Sequence, residues 1–378
     1  MSITVKDILQ LDVLKKAELV AGKNGLNREI LRVNFTDCPL DPDDPGYTLV
    51  SKGDLYIHSF YTAQNNEDLV FNLIQFYIQT GSSCCICLKY YLNQIPERVL
   101  TLSNKNNYPI IMINADVPYG QLIKDISELI LTEQLDINSE NKINQLLYDK
   151  LSSQERNNII QYLAPDLPLK YLCIYISYPE LPSLRFKFLK SDLSSQFQLH
   201  FLRYRKGGFL ILNLITHLDF SRTINSLTHL LSYYGKTFYI GVSSKCEESS
   251  GFIRSFNEAY SAYEIAQLTG NKLTYYNDLS IYNLLLPLRN HEILNEFCKK
   301  ILEPLKEYEY RYSTNLLETA RIYLENNGDY KKTAYFLGTH ENTIRFRIGK
   351  ARSLLGLEDN HYAFIEYVSI ALKAELLL

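Results

Sequence analysis

The sequence predicts a multidomain chain that passes from α/β through α+β to all-α architecture. Three observations predict it. Short apolar runs alternate with helical stretches over residues 1–135, which argues for a mainly parallel sheet. Residues 169–288 follow a ββαβαβ-like order that suits a ferredoxin-like α+β domain. Beyond Pro287 the pattern is almost wholly helical. The expected division is an α/β domain at 1–135, a helical connector at 136–168, the α+β domain at 169–288 and an all-α domain at 289–378.

In the first region Thr4 to Leu11 reads as a short helix, and Ala17 to Ala21 and Glu29 to Phe35 read as strands. Gly53-Asp54 opens the strand Leu55 to His58. Leu69, Leu73, Phe76 and Tyr77 recur at helical spacing within Asn66 to Thr80, and Gly81 stops that helix. Cys84 to Leu88 and Ile110 to Ile113 are apolar runs of the buried-strand type, with a helix from Ile95 to Ser103 between them. Leu122, Ile126, Leu129, Ile143, Leu147 and Leu151 then mark a long helical stretch. Its polar middle, Asp136 to Glu140, is a candidate break. This stretch is either a dimer seam or two ordinary helices packed on their own domains.

Pro165 and Pro168 punctuate the next boundary. Tyr171 to Tyr178 is a strand, and Gln198 to Leu214 a hairpin around Lys206-Gly207-Gly208. Phe220 to Tyr234 and Phe252 to Leu268 are helices; Lys236 to Ser243 and Leu273 to Tyr276 are strands.

Composition bounds the function. With 46% hydrophobic and 21% charged residues, the 378-residue chain is globular. The 30 tyrosines without a tryptophan read as base-composition bias. A net charge of −3 argues against a histone-like coat or a polybasic membrane binder, though not against a local basic element. No basic leader stands at Met1 to Asp7, and no apolar run reaches the ~18–20 residues of a spanning helix. The seven cysteines (Cys38, Cys84, Cys85, Cys87, Cys173, Cys246, Cys298) are odd in number and irregular in spacing. Free thiols in a reducing cytoplasm are expected.

The segment Leu316 to Leu357 is the most informative. Leu316, Ala320 and Leu324 fall on one face of a first helix, with Asn315 and Glu318 placed as a cap. Gly328 ends it in a left-handed conformation. Asp329 caps a short helix to Leu337 with Ala334 inward, Gly338 turns, and Thr339 or His340 starts a third helix. There Ile344, Ile348, Ala351 and Leu355 form one apolar stripe. The opposite face carries Asn342, Phe346, Gly349, Lys350 and Ser353, flanked by Thr343, Arg345 and Arg352. This is the helix-turn-helix arrangement. Asn342, Arg345 and Phe346 suit base edges; Thr343, Arg347, Lys350 and the amides at the helix start suit phosphates. Asp329 to Leu355 carries six cations and two carboxylates, a net +4 that leaves −7 for the remainder. Double-stranded DNA is the expected partner.

The residues Glu303-Pro304-Leu305, Leu316-Leu317-Glu318-Thr319, Tyr323-Leu324-Glu325-Asn326, Thr333-Ala334, His340 to Ile348 and Leu354-Leu355-Gly356-Leu357 resemble the C-terminal helix-turn-helix domain of the PucR-type, or purine-catabolism, regulators. That family often has H-R-N-T-[LI]-R-[YF]-R at the recognition helix, and here Glu341 replaces its arginine. A carboxylate there is repelled by phosphate or reads a cytosine amino group. Thr4 to Leu9, Leu19 to Gly22, Gly25-Leu26, Gly53 to Leu55, Ile95-Pro96, Pro109-Ile110 and Asp116 to Tyr119 are similar to the family's N-terminal domain. Ile240 to Ser243 and Ala259 to Ala262 look like its degenerate GGDEF-like middle domain. The resemblance implies a sensory N-terminal domain for a small-molecule effector of unknown identity, a DNA operator bound through His340, Glu341, Asn342, Thr343, Arg345, Phe346, Arg347 and Lys350, and a homodimer or larger assembly regulating a catabolic operon.

Three rival readings compete. A GGDEF-type cyclase needs carboxylates after its paired glycines, whereas Gly207-Gly208 is followed by Phe209-Leu210-Ile211. No G-x-x-x-x-G-K-[ST], H-E-x-x-H or G-x-S-x-G motif appears, and neither catalysis nor a cofactor is expected. Cys84-Cys85-Ile86-Cys87 lacks the two-residue gap of zinc knuckles, and in a strand Cys85 and Cys87 share one face while Cys84 takes the other. Packing is the expected role. His58, His200 and His217 form no ligand spacing, although His58, at a strand end, is a candidate pocket residue. The remaining alternative is a metabolite- or redox-sensing interaction protein that does not bind DNA.

Overall fold

The computed structural model describes residues 3–35, 51–178, 183–197, 199–216, 219–248 and 251–378. Cys38, Gln198 and His217 lie outside these. The N-terminal elements are α1 (Val5–Ile8), β1 (Glu18–Ala21), β2 (Arg32–Phe35), β3 (Asp54–His58), α2 (Glu67–Gln79), β4 (Cys84–Leu88), α3 (Glu97–Lys105), β5 (Ile110–Ile113), α4 (Tyr119–Tyr148) and α5 (Ser153–Leu163). The middle holds β6 (Tyr171–Ser177), α6 (Ser183–Phe197), β7 (His200–Tyr204), β8 (Gly207–Asn213), α7 (Phe220–Tyr234), β9 (Tyr239–Val242), α8 (Phe252–Thr269) and β10 (Leu273–Tyr275). The C-terminal region is helical: α9 (Tyr282–Leu285), α10 (Glu292–Tyr312), α11 (Leu316–Glu325), α12 (Tyr330–Phe336), α13 (Glu341–Leu354) and α14 (His361–Glu375). Internal contacts divide the chain into two compact units. One is Met1–Leu167 with Tyr178–Leu210 and Ile224–Thr237; the other is Pro168–Ser177 with Ile211–Thr223 and Phe238–Leu378.

The first sheet runs β1-β5-β4-β3-β2, parallel from β2 to β5, with β1 antiparallel on β5. Every residue of β3, β4 and β5 is buried, as a sheet covered on both faces requires. Leu55, Ile57, Cys84, Ile86 and Ile111 face Leu122, Ile126 and Leu129 of α4. Tyr56, Cys85, Cys87 and Met112 face Val70, Ile74 and Tyr77 of α2 and Val99 of α3. The Tyr56 ring stacks on Tyr77 at 4.3 Å between centroids. Gly22 (φ 69°) permits a close approach that no side chain could share, because a Cβ there would lie 2.1 Å from the Tyr108 carbonyl. The expected Thr4–Leu11 helix is shorter: Thr4 caps it, its amide and hydroxyl donating to Asp7 (2.9 and 2.6 Å), and α1 ends at Ile8.

The candidate break at Asp136–Glu140 does not occur, and α4 is continuous for 30 residues. Its polar middle is bonded rather than bare. Asp136 accepts from Lys190 Nζ (2.9 Å), Glu140 from the Arg205 amide (3.1 Å), and Glu133 pairs with Arg203 at 3.8 Å, both buried. The chain breaks instead at Asp149–Ser152. There Ser152 and Glu155 form a capping box for α5.

The second sheet has the order β10-β9-β6-β8-β7, with β6 antiparallel to β9 and β10 parallel to it. The middle region therefore begins β-α-β-β-α-β, the split βαβ order. The helix α6, absent from the sequence expectation, stands between its first two strands. Phe186, Leu189 and Leu193 supply its buried stripe, and the exposed Phe188 interrupts the pattern. Gly241 lets α8 sit directly on β9, as a Cβ there would come within 2.1 Å of the Ala259 carbonyl. The C-terminal helices share one core that includes Leu305, Leu316, Tyr323, Ile344, Ile348 and Phe364.

Candidate nucleic-acid interface

Helices α11, α12 and α13 form a three-helix unit in which α12, a turn and α13 have the helix-turn-helix order. Leu316, Ala320 and Tyr323 of α11 are buried; Tyr323 takes the core place expected for Leu324, which is half-buried. The expected Asn315 cap does not form. Glu309, in the last turn of α10, accepts from the Leu317 amide at 2.7 Å instead. Three residues separate the two helices, so the preceding carboxylate reaches the orphan donor. At the other end Asn327 (φ 55°) joins Gly328 (φ 78°) in the left-handed region, and the Gly328 amide donates to the Tyr323 carbonyl at 2.9 Å.

Asp329 caps α12, accepting from the Lys331 and Lys332 amides at 2.9 and 3.1 Å. The Lys332 amide bond, then that of Lys331, holds its carboxyl below the usual range. Gly338 (φ 58°) makes the turn, and His340 caps α13 with its Nδ1 accepting from the Asn342 amide at 3.2 Å. Ile344, Ile348 and Ala351 are buried and Leu355 half-buried, which places the stripe where periodicity put it.

The structure distributes the eight sequence-selected residues unequally. Asn342 and Phe346 are exposed, Phe346 by 64%, and His340 stands exposed at the helix start. Thr343 is half-buried. Arg345 donates through Nε and Nη2 to Glu341 Oε1 (3.0 and 2.6 Å), and its guanidinium lies 4.4 Å from the Tyr330 ring centroid. Arg347 turns to α11 and donates to Thr319 Oγ1 at 3.2 Å. Lys350 Nζ sits 5.1 Å over the Tyr308 ring of α10. The flanking Arg352 closes the C-terminus of α13 by donating to the Leu357 and Glu358 carbonyls. Asn342, Arg345, Phe346 and Gly349 thus share the open face, while Arg347 and Lys350 lie on its flanks.

Sequence reasoning missed Tyr330 as the platform for Arg345. It also missed the exposed Tyr335 and Phe336 at the end of α12. The i,i+4 spacing of Glu341 and Arg345 was a readable signal; the ring beneath the guanidinium was not.

In β4, Cys84, Cys85 and Cys87 are fully buried, with Cys85 and Cys87 sulfurs 3.7 Å apart. Burial pushes the Cys84 and Cys87 thiols well above their ordinary value. His58 is buried too, and its Nδ1 accepts from the Phe60 amide at 2.7 Å. Among the described residues no group of three or more His, Cys, Asp or Glu could hold a metal ion, and no helix is long and apolar enough to cross a membrane.

Two family models match the chain. Residues 7–130 match the purine catabolism regulatory protein-like family, and residues 316–374 match the PucR C-terminal helix-turn-helix domain. Three proteins of Bacillus subtilis are similar. The proline-responsive transcriptional activator PutR is 32% identical over 32% of this chain and 30% of its own length. The purine catabolism regulatory protein is 28% identical over 38% of this chain and 25% of its own. The uncharacterized protein YsfB is 23% identical over 64% of this chain and 67% of its own. The chain therefore matches less than a third of the length of either of the first two relatives. Matches to the purine catabolism regulatory protein-like family and to the PucR C-terminal helix-turn-helix domain thus stand at opposite ends of one chain.

Proposed function

We propose that this chain is a cytoplasmic, effector-responsive transcription regulator that binds double-stranded DNA through α13 and catalyses no reaction. The observation that carries the reading is the amphipathic split of α13, which buries Ile344, Ile348 and Ala351 against α11 and α12 and leaves Asn342, Arg345 and Phe346 open to a partner. A helix so mounted enters a major groove with its N-terminal residues on base edges. Asn342 suits an adenine edge, Arg345 a guanine edge and Phe346 a thymine methyl; His340, Thr343, Arg347 and Lys350 suit the backbone. The acidic remainder of the chain weakens indiscriminate binding and leaves affinity to this small basic unit.

The domain division at 135, 168 and 288 belongs to the same proposal. Residues 1–135 bind a small nitrogenous metabolite, and a homodimer presents two recognition helices to paired half-sites of a catabolic operon. The effector class follows from the names of two relatives, one proline-responsive and one concerned with purine catabolism.

Selection of binding sites from a pool of random duplexes by the full-length chain tests the DNA-binding reading. It expects enrichment of one motif, lost when Asn342 and Arg345 are both replaced by Ala; a pool that emerges unenriched contradicts it. Thermal-shift screening of purines, ureides and amino acids tests the effector. A ligand that binds yet alters neither association state nor DNA affinity contradicts the coupling.

A further inference from the structure

We propose that Glu341 is a positioning residue for Arg345, and that the clamp formed by Glu341 and Tyr330 presents one edge of the Arg345 guanidinium to a guanine. The inference rests on the DNA-binding reading and deepens it. Guanidinium has five N–H donors in a fixed planar fork. Glu341 Oε1 takes one from Nε and one from Nη2, at 3.0 and 2.6 Å. Both belong to the side edge of the group. The end edge, between Nη1 and Nη2, keeps its parallel pair of donors, the pair that matches O6 and N7 of guanine.

The group is held from a second side as well. The guanidinium lies 4.4 Å from the Tyr330 ring centroid, within cation–π range. Tyr330 packs in turn on Tyr323 at 4.9 Å, and Tyr323 is buried in the C-terminal core. Arg345 is thus tied to all three helices of the unit: through its own backbone to α13, through Tyr330 to α12 and through Tyr323 to α11. An exposed i,i+4 ion pair does little for stability. Its consequence here is geometric, because a long side chain otherwise free to rotate meets the groove already oriented. Neutralisation has a second effect. A clamped Arg345 is a poorer partner for passing phosphates, so Glu341 trades non-specific attraction for discrimination.

The test uses the full-length chain and the duplex it selects, with each guanine replaced in turn by 7-deazaguanine, which lacks the N7 acceptor. Wild type is expected to lose affinity at one guanine, by less than the roughly 150-fold ceiling of a bidentate contact because O6 remains. Arg345→Ala should bind the natural and substituted duplexes equally. Glu341→Gln should lose most of the discrimination at that same guanine while binding unrelated duplex at least as well as wild type. Its salt slope should steepen by about 0.9 as the released arginine takes a phosphate. Tyr330→Phe should retain the discrimination, and Tyr330→Leu should not. Thermal midpoints within a few degrees of wild type exclude simple unfolding.

A Glu341→Gln chain that discriminates as wild type does overturns the clamp while leaving DNA binding intact. Loss that is uniform over all sequences in Arg345→Ala places that residue on phosphate and also overturns it. A wild-type chain that binds no duplex overturns both the clamp and the reading beneath it.

Discussion

Strand β4 holds three cysteines at 0% exposure between two helical layers, whereas helix α13 leaves Phe346 64% exposed on the face opposite its buried stripe. Both segments are dense in chemically capable side chains. They differ in geometry. A central strand of a parallel sheet is covered on both faces, so its period of two hides odd and even positions alike. A helix on the surface of a bundle buries one stripe and leaves the other open. Reactive residue types therefore mean little until the layer count is known. Cys84 faces the α4 side and Cys85 and Cys87 the α2 side, and neither side reaches solvent.

Thiol labelling read site by site should show the largest contrast. If β4 opens only by unfolding, modification of Cys84, Cys85 and Cys87 in the native chain should be slower than in the unfolded chain by about 10³- to 10⁶-fold. Rapid native labelling would break the comparison. The pH dependence follows from the same burial. The folded-state values of Cys84 and Cys87 are raised, so their contribution to stability is full below the ordinary thiol value of 9.0 and falls as pH rises above it. Denaturant midpoints taken from pH 7 to 10 should decline on that side.

The buried half of α13 comes next. Ile348→Ala should cost about 2–5 kcal/mol in denaturant unfolding of the C-terminal helices, because it opens a cavity in their shared core. The open half should behave in the opposite way. Arg345→Ala should leave unfolding nearly unchanged and weaken binding to the selected duplex by about 1–3 kcal/mol. If both variants altered stability equally, the two faces of α13 would not be distinct. Asp329→Ala should have the smallest effect, a fall of a few degrees in the thermal midpoint from the lost cap, with base preference unchanged.

Much of this was legible in the sequence because periodicity reports burial. The buried strands β3, β4 and β5, the cap Asp329 and the stripe Ile344, Ile348, Ala351 all stand where the sequence placed them. What escaped depends on partners distant in sequence. The polar run Asp136–Glu140 suggested a break because Lys190 and the Arg205 amide, 54 and 65 residues away, could not be seen to satisfy it. Asn315 has the residue type of a cap, but Glu309, eight residues before Leu317, takes that amide, a partner that local spacing does not reveal. The bonds that Arg347 makes to Thr319, and Arg352 to the Leu357 and Glu358 carbonyls, are likewise invisible to spacing alone. A basic count of +4 for Asp329 to Leu355 therefore overstates the free charge at the open face.

The most direct test of the central claim is a salt titration of full-length chain binding to its selected duplex. The open face of α13 and its flanking cations predict that log Kobs falls linearly with log salt, by about 0.9 per phosphate neutralised. Affinity that holds constant across the salt series would contradict a phosphate-contacting recognition helix and the function built on it.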